Sequence, residues 1–153
     1  MTTTISRIGA AAPVLHAVLA GERVFSLPVE HGPLAPATAR HAVRPALEAW
    51  GLDENRIYDT LLVISELVTN AVTHASPPVV LHLHGSTDGL GIQIHVTDGG
   101  ARTGADPGSW AADRSDDEHG RGDLIVSTLT DHTGTDHDDL AGLIDHWADL
   151  ATA

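Results

Sequence analysis

A carboxylate and a carboxamide, Glu66 and Asn70, stand four residues apart in the sequence. Four residues are about one turn of a helix, so both side chains would project from the same helical face. An amide oxygen suits Mg²⁺, which keeps several of its waters and needs few ligands from a protein. The carboxylate could accept a proton from a hydroxyl group or a water during phosphoryl transfer. The alternative is a solvated stripe; His74 continues this face, and a surface or packing histidine explains it equally well.

A second acid, Asp98, ends an apolar strand pattern and is followed by Gly99 and Gly100. A carboxylate at this place could accept a hydrogen bond from the exocyclic amine of adenine. The two glycines remove side chains where a backbone must approach a flat base. The alternative is an aspartate that only shapes a turn.

Glycines also flank Arg121, in the run His119-Gly120-Arg121-Gly122, which precedes a helical pattern. Amide groups at a helix N-terminus bind phosphate oxygens, and Arg121 adds positive charge while His119 adds a donor. A lone Gly-x-Gly is as often a cap or a turn. Asp123 follows in the first helical turn, where it suits the helix dipole but competes with a bound anion.

Two helices are predicted to position the first pair. One runs from about residue 37 to residue 50, and Gly51 ends it. Asp53 can cap the next, from about residue 54 to residue 75. Apolar residues recur there at spacings of three and four, and Glu66 lies about 180° from the centre of their stripe. The stripe comprises Ile57, Leu61, Ile64, Val68, Ala71, Val72 and Ala75.

Strands are predicted at residues 24–27, ending at Pro28, and in a hairpin formed by residues 79–84 and 90–97. Alternation in the hairpin divides the residues between two faces. The predicted buried face carries Val79, Leu81, Leu83, Leu90, Ile92, Ile94 and Val96. The predicted wet face carries His82, His84, Gln93, His95 and Thr97.

Residues 99–119 have no apolar period, and loops of this length are usually lids, binding loops or disordered segments. A helix from about residue 122 to residue 131, a His/Asp-rich turn and a last strand near residues 143–150 are predicted to follow. Carboxylates and imidazoles of this region suit Zn²⁺, Ni²⁺ or Mn²⁺ by type, but solvated turn and strand-edge residues are the favoured interpretation. They are Asp131, His132, Asp136, His137, Asp138, Asp139, Asp145 and His146.

The composition narrows the function classes. The formal net charge is −13 over 153 residues, which disfavours direct nucleic-acid binding and is compatible with a basic protein partner or simply with solubility. The chain has no apolar run long enough for a membrane helix, no secretory signal pattern and no cysteine, so a cytoplasmic protein is expected. We expect a flexible leader at residues 1–22 and one ATP-binding domain at residues 23–150.

Three segments stand together in order and separation: Glu66-Leu-Val-Thr-Asn70 with His74, Val96-Thr-Asp98-Gly-Gly100, and Glu118-His-Gly120-Arg-Gly122. They resemble the N box, G1 box and G2 box of the GHKL ATPase superfamily. Within it, residues 23–150 look most like the small stand-alone domains related to bacterial anti-sigma-factor serine kinases. The resemblance implies an α/β (α+β) fold: a two-layer sandwich of the GHKL or Bergerat type, with a mixed, mostly antiparallel sheet and helices on one face.

The resemblance also implies roles for the residues of the three boxes. Glu66 would be the catalytic base, and Asn70 would hold Mg²⁺. Asp98 would select adenine, and residues 99–119 would form a lid over the ATP. The implied nucleotide-binding residues are Asn70, His74, Asp98, Gly100, His119, Gly120, Arg121 and Gly122.

The implied function is transcription regulation by an ATP- and Mg²⁺-dependent protein serine kinase. Its protein partner would be a sigma factor or an antagonist of an anti-sigma factor, and a homodimer is compatible with this role. Two alternatives stay open. A non-catalytic interaction module is favoured by Asp123 and by the acids Asp113, Asp116 and Asp117 of the lid. A detached sensor histidine kinase domain would need its phosphoacceptor histidine on another chain.

Overall fold

The computed structural model describes residues 15–19, 22–86, 91–101 and 124–151. Six strands form one sheet in the order β1-β2-β3-β4-β6-β5, and a short helical segment at residues 124–129 precedes β5. The elements are β1 (Leu15–Leu19), β2 (Glu22–Val29), α1 (Ala35–Ala49), α2 (Glu54–His74), β3 (Val79–Gly85), β4 (Gly91–Asp98), β5 (His132–Asp138) and β6 (Leu143–Ala151).

The helices cover one face of the sheet. Helix α1 packs against α2 and β2, and α2 packs across β3, β4 and β6. The core between the two layers is aliphatic, and its largest fully buried side chains include Leu47, Ile57, Ile64, Leu81 and Ile94. This is the expected two-layer α+β sandwich, although each described strand pair is antiparallel and the sheet is not mixed there.

Helix α2 agrees closely with its predicted span. The side chain of Asp53 accepts a hydrogen bond from the backbone N–H of Arg56 at 2.8 Å, which confirms it as the N-terminal cap. Most of the predicted apolar stripe is buried, and Leu61 is partly buried against the core. The helix therefore presents its polar residues Glu66 and Asn70 away from the centre of the core.

The predicted faces of the β3–β4 hairpin are also confirmed for the residues that the structure describes. Val79, Leu81 and Leu83 on β3 are buried, as are their β4 counterparts Ile92, Ile94 and Val96. The histidines and polar residues of the opposite face are half-buried or exposed. The hairpin's predicted turn and Leu90 lie outside the described residues.

Three elements differ from the sequence predictions. Residues 132–138 form the edge strand β5, whereas a turn was predicted; the strand has no apolar alternation because its residues are nearly all exposed. Strand β1 lies inside the predicted leader and pairs with β2. Strand β2 extends beyond its predicted end at Pro28, which pairs in register with Val80 of β3.

None of the helices in the described part of the chain is long and apolar enough to cross a membrane.

Candidate functional site

The end of α2 and the end of β4 are fastened together by backbone hydrogen bonds. The N–H of Ser76 donates to the carbonyl of Gly100 at 2.8 Å, and the N–H of Gly99 donates to the carbonyl of Ser76 at 2.7 Å. An isolated bridge between Ala75 and Ala101 continues this pairing. The turn after β4 is therefore held against the C-terminus of α2.

Gly99 and Gly100 make this close approach feasible. A Cβ on Gly99 would lie 2.3 Å from the carbonyl oxygen of Pro77, which is shorter than any real contact of this kind. Gly100 has a φ of 90°, a conformation that glycine adopts without the steric cost of a Cβ. The two glycines are thus required by the turn that follows Asp98, independently of any ligand.

Asp98 is buried at the end of β4, with 1% of its surface exposed. Its Oδ1 accepts a hydrogen bond from the N–H of Gly100 at 2.8 Å. Its Oδ2 lies 3.0 Å from Nε2 of His146, which stands on the neighbouring strand β6. Among the described residues Oδ2 has no hydrogen bond of good geometry, so His146 is its ion-pair neighbour, and a protonated His146 offsets part of the cost of burying the charge.

A cavity of about 530 Å³ opens beside this carboxylate. It brings together three of the predicted site residues, Asn70, His74 and Asp98, from two different elements. Helix α2 supplies one wall and the ends of β4 and β6 supply the other. The lining residues are Asn70, Ala71, His74, Ala75, Asp98, Ala101, Ile144 and His146.

Glu66 lies one helical turn before Asn70 on α2, and it is half-buried. Its Oε2 atom is buried, although the residue does not line the cavity beside Asp98. Glu66 therefore stands next to the cavity along the helix, on the side away from His74. The predicted residues His119, Gly120, Arg121 and Gly122, with Asp123 and the acidic lid, lie outside the described residues.

His146 is a cavity residue that the sequence analysis left out of the site. The available signal was the alternation of β6, where Ile144, His146, Ala148 and Leu150 share the face that is turned towards the helices. The close approach of Asp98 to Nε2 raises the pKa of His146 above its ordinary value, and partial burial opposes this shift. The negative charges of Asp98 and Asp145 also raise the pKa of His146.

The opposite face of the sheet carries a second group of histidines. His95 Nδ1 lies 2.7 Å from Oδ2 of Asp145, and this hydrogen bond raises the pKa of His95. Burial lowers the pKa of His82, which contacts Ser26, and the nearby His95 lowers it further. In the described part of the chain, no three acids or histidines are arranged to hold a metal ion.

The residues around the cavity fit a nucleotide with Mg²⁺. The buried carboxylate of Asp98 can accept an amine hydrogen at Oδ2, which lies beside the partly exposed ring of His146. The amide oxygen of Asn70 is a suitable Mg²⁺ ligand, and a carboxylate cluster is not required because Mg²⁺ keeps several waters. The site can therefore combine recognition of a base with retention of a metal.

The sequence profile of the family described as Histidine kinase-like ATPase domain matches residues 32–143. That range covers most of the chain, including α1, α2, β3, β4 and β5. The protein therefore belongs to the histidine kinase-like ATPase domain family.

A solved structure with a similar fold contains the RsbU and RsbW domains of Rv1364c from Mycobacterium tuberculosis. It is 21% identical in sequence and has a TM-score of 0.61, over 84% of this chain and 32% of that chain. The match thus spans about a third of the chain in that structure, and the likeness concerns the fold. No curated protein sequence matches the chain.

Proposed function

We propose that this protein binds ATP with Mg²⁺ in the cavity between α2 and the ends of β4 and β6. The observation that carries the proposal is the buried carboxylate of Asp98, which faces the same cavity as Asn70. An acid placed at 1% exposure at a strand end, beside a space of about 530 Å³, is poised for recognition of a ligand amine. Family membership supports the same choice of ligand.

The proposed binding chemistry is divided between several residues. Asp98 accepts a hydrogen from the adenine amine, a contact that favours adenine over guanine. Asn70 holds Mg²⁺ by its amide oxygen, and the predicted segment Gly120 to Gly122 binds phosphates. Bound ATP supplies a phosphoryl group for transfer. Glu66, one turn from Asn70, accepts the proton of the attacking hydroxyl group.

We propose further that the phosphoryl acceptor is a serine of a partner protein, and that the pair regulates transcription in the cytoplasm. The resemblance of the three boxes to those of anti-sigma-factor serine kinases supports a partner of the sigma-factor or antagonist type, and the similar structure that contains an RsbW domain has the same fold. The net charge of −13 is compatible with a basic surface on that partner. The chain would act by protein contacts and would not bind nucleic acid directly.

Calorimetry of the purified protein with Mg·ATP tests the binding proposal. Saturable binding that disappears when Mg²⁺ is chelated is the expected result. Phosphoryl transfer is tested with radiolabelled ATP and a candidate antagonist protein that carries an acceptor serine. Glu66→Gln should keep nucleotide binding and reduce transfer by about a hundredfold or more, because the general base is lost. Glu48→Gln, on the exposed surface of α1, is the matched control.

A second candidate function is a protein-interaction module that does not turn over nucleotide. Asp123 in the predicted phosphate-binding turn favours it, because an acid there competes with anionic phosphates. Absence of heat and of a thermal shift at millimolar Mg·ATP would leave only this second function. Binding with unchanged transfer in Glu66→Gln would instead reject the role of Glu66 as the base.

A further inference from the structure

His146 and the adenine amine have the same target atom. Oδ1 of Asp98 already accepts the N–H of Gly100, which leaves Oδ2 as the oxygen for a ligand in the cavity. Nε2 of His146 lies 3.0 Å from this Oδ2. A carboxylate oxygen can accept two hydrogens, but a charged imidazolium on one side makes it a weaker acceptor for a neutral amine. Base recognition therefore depends on the state of His146.

The imidazole of His146 is held loosely enough to leave Asp98. Its side chain is 38% exposed, whereas Asp98 is 1% exposed. Its other nitrogen, Nδ1, has a long contact of 3.4 Å with Oγ1 of Thr135 on β5. A partly exposed ring with one long contact can rotate out of the cavity when a ligand approaches, while the carboxylate stays in place.

Each described element that packs around His146 carries a titratable group near it. Asp98 approaches from β4, and Asp145 is its neighbour on β6. Helix α2 contributes His74, which lines the same cavity. Strand β5 places His137 on the same face of the sheet, opposite Ile144. Asp98 is the one of these groups within 3.0 Å of a nitrogen of His146, so it dominates the protonation equilibrium.

We propose that protonated His146 competes with the adenine amine for Oδ2 of Asp98, so that protonation of His146 weakens nucleotide binding. This inference rests on the proposed binding of ATP. Nucleotide binding should displace a proton from the site, and the affinity for Mg·ATP should rise with pH until His146 is neutral in the unbound protein. Because the pKa of His146 is raised, this change extends upward from the ordinary histidine value of about 6.5.

Two other effects would instead make the affinity for Mg·ATP fall as the pH rises. A protonated His146 that contacted the phosphates would strengthen binding at low pH by charge attraction. The overall negative charge of the protein also increases as histidines lose protons, which disfavours ATP at high pH. Stronger binding at high pH therefore needs a specific competitor of the nucleotide inside the site, and His146 is the titratable cavity residue that contacts the base-binding carboxylate.

The experiment is calorimetry with Mg·ATP at about pH 6 and about pH 8 on three proteins. In the wild-type protein we expect affinity to be roughly three- to tenfold higher at the higher pH. His146→Gln keeps an N–H donor for Asp98 but cannot be protonated, so its affinity should lose this pH dependence. His95→Gln should behave as the wild type, since His95 forms its aspartate pair on the opposite face of the sheet.

A second measurement uses the wild-type protein alone. The pKa of the His146 ring, followed by NMR, should fall when the site is saturated with Mg·ATP. An unchanged or raised pKa would overturn the competition, and so would equal pH dependence of affinity in the wild type and His146→Gln. If none of the three proteins binds Mg·ATP at either pH, the proposed function itself is rejected, and this inference with it.

Discussion

A Cβ atom on Gly99 would lie 2.3 Å from the carbonyl oxygen of Pro77, because the turn after β4 is pressed against the end of α2. We expect Gly99→Ala to push these backbones apart and to lower the free energy of unfolding by about 1–3 kcal/mol, as overpacking typically does. Asp98 precedes the turn directly, so Mg·ATP affinity should fall as well. Urea unfolding and calorimetry measure the two effects.

The control for this substitution is Gly32→Ala. A Cβ on Gly32 would meet no atom within 4 Å, so the same chemical change should alter neither stability nor affinity appreciably. Equal destabilisation by the two variants would show that the contact between Gly99 and Pro77 is not the cause.

Asp98→Asn tests which atom of the nucleotide base forms a hydrogen bond with this residue. The new amide oxygen can keep the hydrogen bond with Gly100, but its NH₂ group then faces the cavity as a donor. A donor opposes the adenine amine and suits the carbonyl group of guanine, so ATP affinity should fall about tenfold or more while the preference for ATP over GTP narrows. Competition between the two nucleotides, measured by calorimetry, checks this. A uniform loss for both nucleotides would contradict base recognition by Asp98.

The sequence predicted the elements whose side chains repeat with a clear period. Helix α2 has an aspartate cap and a long apolar stripe, and β3 and β4 alternate strictly, so burial and local geometry agree there. The same elements supply Asn70 and Asp98, which explains why these candidate residues could be named without coordinates.

The elements that the sequence did not predict lack such a pattern. Strand β5 is exposed on both faces and exists because its backbone pairs with β6, so its Asp and His residues carried no strand signal. His146 lies in the same polar region, and its position in the cavity depends on which strand lies beside β4. Pairing between strands distant in sequence is a tertiary property, which a local pattern does not encode.

Asp53 offers a test of how far α2 depends on its cap. Its side chain accepts the backbone N–H of Arg56 at 2.8 Å, so Asp53→Ala should lower the free energy of unfolding by about 1 kcal/mol. Asp53→Asn should retain most of the stability, because the amide oxygen can still cap the helix. Urea unfolding of the three proteins provides the comparison, and equal losses in both variants would assign the effect to charge.

The pair formed by His95 and Asp145 predicts how stability depends on pH. Its 2.7 Å hydrogen bond raises the pKa of His95 in the folded protein, while burial partly opposes the shift. The folded state therefore holds this proton more tightly than the unfolded state does, so the pair stabilises the protein fully below the unfolded histidine value of about 6.5. That contribution is lost as the pH rises through the raised pKa of His95.

His95→Gln removes this titration. The difference in unfolding free energy between wild type and variant should therefore be largest at about pH 5.5 and smallest at about pH 8.5, on either side of the histidine range.

The neighbouring His82 has the opposite effect on the pH dependence of stability. Burial lowers the pKa of His82, and the loss of the charged His95 beside it relieves part of that shift. The combined variant with Asp145→Asn separates the two effects, because coupling between His95 and Asp145 should appear only where His95 is protonated. A coupling energy that stays constant across the pH range would mean that the contact acts as a neutral hydrogen bond and that its charge contributes nothing to stability.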